Sequence, residues 1–527
     1  MKGMEFGRHF SNKDLEGLFD PSFTLPPDFM FGCANAAYQV EGGINGRGEP
    51  LNNWAEFERS GRVEPSGEAI RFWTDYPEEL ELASRMGLNA FRVGIEWARV
   101  QPETSSTVTR VPDFDGAAIG AYADMIAAIM RAGMEPVVTL HHFTHPNWLG
   151  LDFWLENRQL DLFKRYVEEV ALKVNGLLVE KHGLRPVSYW ITLNEPNGLA
   201  FLTYALRAFP RRKSGPAHAV EALSNMIDAH CRAYDAIHRI YSEQGWEAPR
   251  VSYNTINISV YGFDKMVTDM LNARRNGVER QDMPDYLAAG KQAWDAEVSR
   301  CPVVRKASVI NTGAERLLDR LATRLLEVSR LGNGIAGIYG SDLSEKLDYL
   351  AVDFYDPFAR NLIKPPTVQD LREKRFNFNA EHWEWVLNPV AMYHFLKAET
   401  INSGSLPVFI VENGMCHKVY QGRVEQRRDA ATTDTFLQAY IFEAMRAMKD
   451  GVPIIGYLYW TMVDNYEWGS FDPRFGLFTM DRSRSPVKIS SVDAWGTNAA
   501  GAFAGMISAL RGGDQSKIVE AFTRDDW

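Results

Sequence analysis

The chain has 527 residues, enough for one large α/β barrel with insertions or for two or three ordinary domains. Hydrophobic residues make up 45%, so a sizeable core can be buried, while a formal net charge of −11 argues against the basic face that general nucleic-acid binding needs. Four scattered cysteines with no CxxC pair imply free buried thiols, and the absence of an apolar h-region within residues 1–20, or of any apolar run of about 18 residues, leads us to expect a cytoplasmic protein without a membrane span.

Residues 1–20 are expected to form an extra arm. Strand one is predicted over Phe29–Ala34 and runs into Tyr38, Gln39 and Glu41. A helical pattern over Tyr76–Met86 precedes strand two, Ala90–Ile95, which carries Arg92. Ala117–Arg131 reads as helix, and strand three, Pro136–Leu140, ends in His141 and His142. Leu160–His182 reads as helix, and strand four, Ser188–Leu193, ends in Asn194 and Glu195. Ala219–Tyr241 leads to strand five, Arg250–Ile256. A charged, helix-forming segment at about 261–341 reads as a helical insertion near the mouth of the fold. Strand six, Tyr349–Phe354, ends near Asp353 and Tyr355, and strand seven, Val408–Val411, ends in Glu412. Strand eight, Ile454–Trp460, is followed by Glu467 and Trp468.

Short β-branched runs alternating with longer helices point to parallel strands buried on both faces. Eight of them in one chain predict an α/β fold, a (β/α)₈ TIM barrel, with residues 21–527 as a single domain with elaborated βα loops. In that architecture the C-terminal strand ends carry the chemistry. An acid at one strand end is commonly a surface residue, but polar and aromatic residues at the same end of successive strands mark a site. Glu195 and Glu412 follow strands four and seven, on opposite sides of a narrow ring. Two such carboxyls suit glycoside hydrolysis, in which one protonates the leaving oxygen while the other attacks the anomeric carbon or activates water.

These segments resemble glycoside hydrolase family 1, the β-glucosidase family. Thr192-Leu193-Asn194-Glu195-Pro196 is similar to its acid/base motif, and Ile410-Val411-Glu412-Asn413-Gly414 to its nucleophile motif. Tyr38-Gln39-Val40-Glu41-Gly42 resembles its first sugar-binding motif, and the likeness runs from about Asp28 to Lys488. The resemblance implies a retaining hydrolase of β-linked glycosides, most simply a β-glucosidase, with Glu195 as acid/base and Glu412 as nucleophile. It implies that Gln39, His142, Glu467 and Trp468 hydrogen-bond sugar hydroxyls, that Asn194 binds the 2-hydroxyl, and that Trp460 is the stacking floor. Arg92 and Tyr355 would contact and orient Glu412. No cofactor or metal is implied, and the partner would be a small β-glycoside.

The departures from the family are local. Asp353 stands where the family has Asn, Phe143 where Trp is commoner, and the turn after Trp468 is one residue shorter. A basic loop with Arg207, Arg211, Arg212 and Lys213 follows strand four, where it would meet an anionic aglycone or form a solvated surface. A transglycosylase would use the same residues. A sugar-binding pseudoenzyme would lack one of the two carboxylates, and both are present. A metal-dependent hydrolase would need His141, His142 and His145 to converge, whereas adjacent strand residues point to opposite faces.

Overall fold

Nine short parallel strands form the frame on which the site is built, with register shifts where β8 pairs with β11 and with β7. The computed structural model describes residue 6 and residues 9–103, 110–302, 317, 319, 320, 322, 324, 326–355, 387–420, 422–427, 429–482, 487–525 and 527. Its first strands are β1 (Met30–Ala34), β2 (Ala90–Gly94), β3 (Glu135–Thr139), β4 (Tyr189–Ile191), β5 (Arg250–Ser252) and β6 (Asn254–Ile256). Then come β7 (Leu350–Phe354), β8 (Val408–Asn413), a hairpin of β9 (His417–Tyr420) and β10 (Arg423–Glu425), and β11 (Ile454–Trp460).

The strand order β5-β4-β3-β2-β1-β11-β8-β7-β6 is nearly a closed ring. Only Tyr253 separates β5, which pairs with β4, from β6, which pairs with β7. They are two halves of the fifth strand expected from the sequence, and the ring is the expected eight-stranded barrel. Ser252 spans the break, its Oγ donating to the carbonyls of Tyr253 and Tyr349 at 2.8 Å each. Strand seven extends further than expected. Pairing of Asp353 with Glu412 and of Phe354 with Asn413 carries β8 to Asn413, so Glu412 sits inside the strand.

The strands are buried because helices cover them outside and side chains fill them inside. Val137, Ile191, Ala351, Val411 and Leu458 belong to the inner core. The helices Phe72–Arg85, Gly116–Arg131, Leu160–Glu180 and Pro216–Gln244 contribute to a much larger outer core. Their ends follow ordinary capping physics. Asp115 accepts from the amides of Ala117 and Ala118, and Pro216 opens a helix that Gly245 closes in the left-handed conformation. Between β6 and β7 the described residues form the helices Tyr261–Asp264, Met266–Asn272, Met283–Val298 and Gly332–Tyr339. Buried Lys265 ties this region to the helix Pro389–Glu399, donating to the Glu399 carbonyl at 2.7 Å. The N-terminal helix Asn12–Leu18 is held at its end by Lys449, which donates to the carbonyls of Gly17 and Leu18.

Cys33, Cys231, Cys301 and Cys416 are free and buried. No described helix is long and apolar enough to cross a membrane.

Candidate active site

Glu195 lies four residues beyond β4 in the left-handed region, at φ 39° and ψ 57°, and precedes Pro196, the first residue of a short helix. Proline disfavours the right-handed helical conformation for the residue before it. The amide of the neighbouring Asn194 donates to the His141 carbonyl at 2.8 Å and fixes the strand end. Phe143 and Trp468, both facing the same mouth, also have positive φ, at 66° and 44°. Such conformations cost about 1–3 kcal/mol each for ordinary residues and concentrate where a site needs a side chain aimed against backbone preference.

Arg92, on β2, is the hub. Its Nη1 donates to Glu412 Oε1 at 2.6 Å, its Nη2 to Asn194 Oδ1 at 2.5 Å, and its Nε to Thr139 Oγ1 at 2.9 Å. The Tyr355 hydroxyl donates to Glu412 Oε2 at 2.8 Å, so each oxygen of Glu412 has a donor. Glu195, Asp353 and Glu412 each present a carboxylate oxygen, and these three oxygens lie within 4.8 Å of one another. Asp353 is fully buried, takes a hydrogen bond from Asn254 Nδ2, and stands 3.9 Å from Arg92 Nη1.

Burial and mutual repulsion set the charges. Burial, then the charge of Glu412, pushes the Glu195 carboxyl well above the usual carboxylate range. Burial, then Glu412 and Glu195, does the same to Asp353. Burial also raises Glu412, but Arg92 and the Tyr355 hydroxyl oppose the rise. Glu412 is therefore the best placed of the three to be ionised first.

The sugar-binding set expected from the sequence gathers at the same mouth. Gln39 Nε2 donates to the Tyr466 carbonyl at 2.9 Å and to Glu467 Oε2 at 3.0 Å, which leaves its buried Oε1 without a partner among the described residues. The His142 ring lies between Trp460 and Trp468, centroids 5.8 and 5.7 Å away, and its Nδ1 is likewise unpartnered. Asn194 has its Oδ1 occupied by Arg92 and by Asn254, so its Nδ2 is the end available to a ligand. Burial and the charge of Glu412 raise Glu467 to about 8.

His141 and His142 face opposite ways. His141 packs on Trp154 at 5.0 Å and near His145 at 6.0 Å, away from the ring in which His142 sits. The three histidines do not converge, which removes the geometry a histidine metal centre needs. Arg92 occupies the side of the carboxylate cluster facing β2, and the cation in contact with Glu412 is its guanidinium.

The basic loop divides. Arg212 Nη2 is bound to Glu56 at 2.9 Å, and the backbone amides of Arg212 and Lys213 donate to Asp152. Half-buried Arg211 donates to the carbonyls of Arg207 and Phe209. Phe209 packs against Trp468 at 5.6 Å, which puts Arg207 and Arg211 beside the mouth.

Two supporting residues were not singled out in the sequence. Asn254 bridges Asn194 and Asp353, and Thr139 anchors Arg92. For Thr139 the signal was there, since it is a polar residue at the end of the apolar run Pro136–Val138, whereas Asn254 lies among other polar residues of strand five. Only closure of the ring shows what they touch.

The family model for glycosyl hydrolase family 1 matches residues 22–283 and 339–491. The chain is 26% identical over 507 residues to beta-glucosidase 47 of Arabidopsis thaliana, covering 90% of this chain and 84% of that protein. It is 26% identical over 494 residues to a 6-phospho-beta-galactosidase of Lacticaseibacillus casei, covering 87% and 94%. In fold it is similar to a beta-glucosidase from Thermotoga maritima in complex with deoxynojirimycin, with a TM-score of 0.66, 21% identity, and 92% and 98% of the two chains covered.

Proposed function

The chain belongs to glycosyl hydrolase family 1 and is a glycosidase of β-glycosides, and from that premise we propose that it works with retention, through Glu412 as nucleophile and Glu195 as acid/base. The observation that carries this reading is the spacing. Glu195 and Glu412 oxygens lie within 4.8 Å of each other, which suits the roughly 5–5.5 Å carboxyl separation of retaining enzymes and falls short of the roughly 6.5–9.5 Å by which inverting enzymes seat a water against the sugar.

In the first step Glu412 attacks the anomeric carbon, the glycosidic C–O bond breaks, and the Glu195 proton goes to the leaving oxygen. In the second, water attacks the same carbon, its proton goes to Glu195, and the ester bond to Glu412 breaks. Loss of the Glu412 charge on esterification lowers the affinity of Glu195 for its proton and readies it as a base. Arg92 and Tyr355 hold the attacking carboxylate in place. Proton NMR of the first-formed sugar tests the reading. We expect the β-anomer first, and an α-anomer would overturn it.

We propose a neutral glycone, glucose foremost. Gln39 Oε1, His142 Nδ1 and Glu467 offer hydrogen-bonding atoms around a Trp460 floor, and a phosphate would meet the Glu467 carboxyl. A panel of aryl glycosides that includes a 6-phosphogalactoside tests this, and a preference for the phosphorylated sugar would reverse it. Product analysis with added alcohols separates hydrolysis from transglycosylation. The four free thiols suit a reducing compartment, and we place the enzyme in the cytoplasm on that ground, to be checked by cell fractionation.

A further inference from the structure

We propose that Asp353 and Glu195 share a proton, so that the acid/base group of this enzyme is a pair of carboxyls and not one. The proposal deepens the reading above and rests on its assignment of Glu195.

Asp353 replaces an amide expected from the family pattern, and the structure puts it where that replacement matters. It lies on β7, whose neighbour β6 presents only the uncharged Asn254 and whose other neighbour β8 presents Glu412. Across the ring it faces Arg92 of β2 and Glu195, in the segment that follows β4, and Tyr355 lies two residues further along the chain. A carboxyl oxygen of Glu195 and one of Asp353 lie within 4.8 Å of each other. Two carboxylates cannot hydrogen-bond, because each is only an acceptor, so a hydrogen bond between them needs a proton on one of them.

The charge count agrees. One guanidinium, Arg92, faces three buried carboxyls, and it is engaged by Glu412 at 2.6 Å but stands 3.9 Å from Asp353. Asp353 Oδ2 is met by Asn254, whereas its Oδ1 is buried and has no hydrogen-bond partner among the described residues. An ionised Oδ1 there would carry a desolvation cost offset only by Arg92 at 3.9 Å and by no hydrogen bond among the described residues, and a hydroxyl able to donate toward Glu195 removes that cost. In the reaction the pair loses one proton to the leaving oxygen and regains one from water. The negative charge is carried by two carboxyls, and Asp353 acts as a positioning and proton-holding residue behind Glu195.

The last proton leaves the pair next to a carboxylate already ionised, and therefore at higher pH than it would leave Glu195 alone. The test is Asp353→Asn, which keeps shape and replaces the neighbour by a neutral amide. With a poor leaving group, the upper limb of the kcat/KM profile should move down by about one pH unit or more. The carboxylic-acid infrared band of the resting enzyme, followed with pH, should lose its high-pH step or show it at lower pH. Glu195→Gln, which removes the other partner, should move that step the same way and serves if Asp353→Asn does not fold. An infrared step that stays in place in a folded variant overturns the shared proton. A step that moves while the kcat/KM limb stays overturns the assignment of Glu195 as acid/base, and with it the catalytic role of the pair. A kcat lowered equally at every pH with an unmoved step would make Asp353 merely structural and overturn the proposal.

Discussion

Arg92 and Glu412 meet at 2.6 Å although they lie 320 positions apart in sequence. They sit on β2 and β8, with β1 and β11 between them in the ring. Among the described residues the contact gives Glu412 its close cation. Arg92 Nη2 reaches Asn194 with the same guanidinium, so one side chain holds both the Glu412 carboxyl and the amide beside Glu195.

Removing that cation should be severe. With Arg92→Ala, Glu412 loses the charge that opposes the effect of burial, and its carboxyl rises further. Because Glu412 must be ionised to attack, the acidic limb of kcat/KM should move to higher pH. Breaking a buried pair also costs about 3–5 kcal/mol of stability. Arg92→Lys keeps the charge without the fork and should fall between. A pH-rate profile and thermal melts check both, and an unmoved acidic limb would mean that Arg92 does not hold the charge of Glu412.

Tyr355→Phe removes one hydrogen bond to Glu412 Oε2. A hydrogen bond to a charged group is worth about 1.5–3 kcal/mol. We expect kcat/KM to drop roughly 10- to 150-fold, with the acidic limb again moving up. Steady-state kinetics on an aryl glycoside read the effect.

The two carboxyls should separate by leaving group. Glu412→Gly should lose hydrolysis, and azide should restore turnover as an external nucleophile, giving the α-glycosyl azide. Glu195→Ala should be far less impaired on a dinitrophenyl glycoside than on an alkyl one, because a good leaving group barely needs protonation. Equal loss on both substrates would remove Glu195 from the acid role.

Glu467 links the pocket to stability. Its carboxyl is raised to about 8, above the ordinary range it has in the unfolded chain. Between about pH 4.5 and 8 the folded protein therefore holds a proton that the unfolded chain has lost, and stability falls as pH rises through that window. Below it both states are protonated and the effect vanishes. Glu467→Gln cannot ionise, so its stability relative to the natural protein should improve by a few kcal/mol between pH 5 and pH 8. Denaturant melts at the two pH values measure this, and a pH-independent difference would show that Glu467 titrates normally.

Arg207 and Arg211 should favour an anionic aglycone. They sit beside Phe209 at the mouth, whereas the side chains of Arg212 and Lys213 are paired with Glu56 and Glu156. An exposed contact adds only about 0.2–1 kcal/mol, so the gain should appear as a KM a few-fold lower for carboxylated than for neutral aglycones of equal size, fading with salt. Neutralising both arginines should erase the difference. Equal KM values in the natural protein would make the loop a solvated surface.

Much of this was legible in the chain itself. Short, largely apolar runs marked the barrel strands, because a strand covered on both faces is mostly apolar, although strand five, Arg250–Ile256, carries several polar residues. Asn194-Glu195-Pro196 and Glu412-Asn413-Gly414 pointed to the two carboxyls that the ring brings together. Boundaries were less legible. Glu412 falls inside β8 because cross-strand pairing with β7, and not local composition, decides where a strand stops.

The sequence by itself determined which residue types stand at the mouth of the barrel, since alternation and burial are local properties of each strand. The tertiary structure alone decided which of them meet. Asp353 reads as a one-residue departure until the ring closes. Closure brings its carboxyl, Glu195 and Glu412 within 4.8 Å of one another around one guanidinium. Adjacent residues on a strand diverge to opposite faces, while residues hundreds of positions apart converge when their strands share a ring, and in a buried site that convergence sets the charge each group can carry.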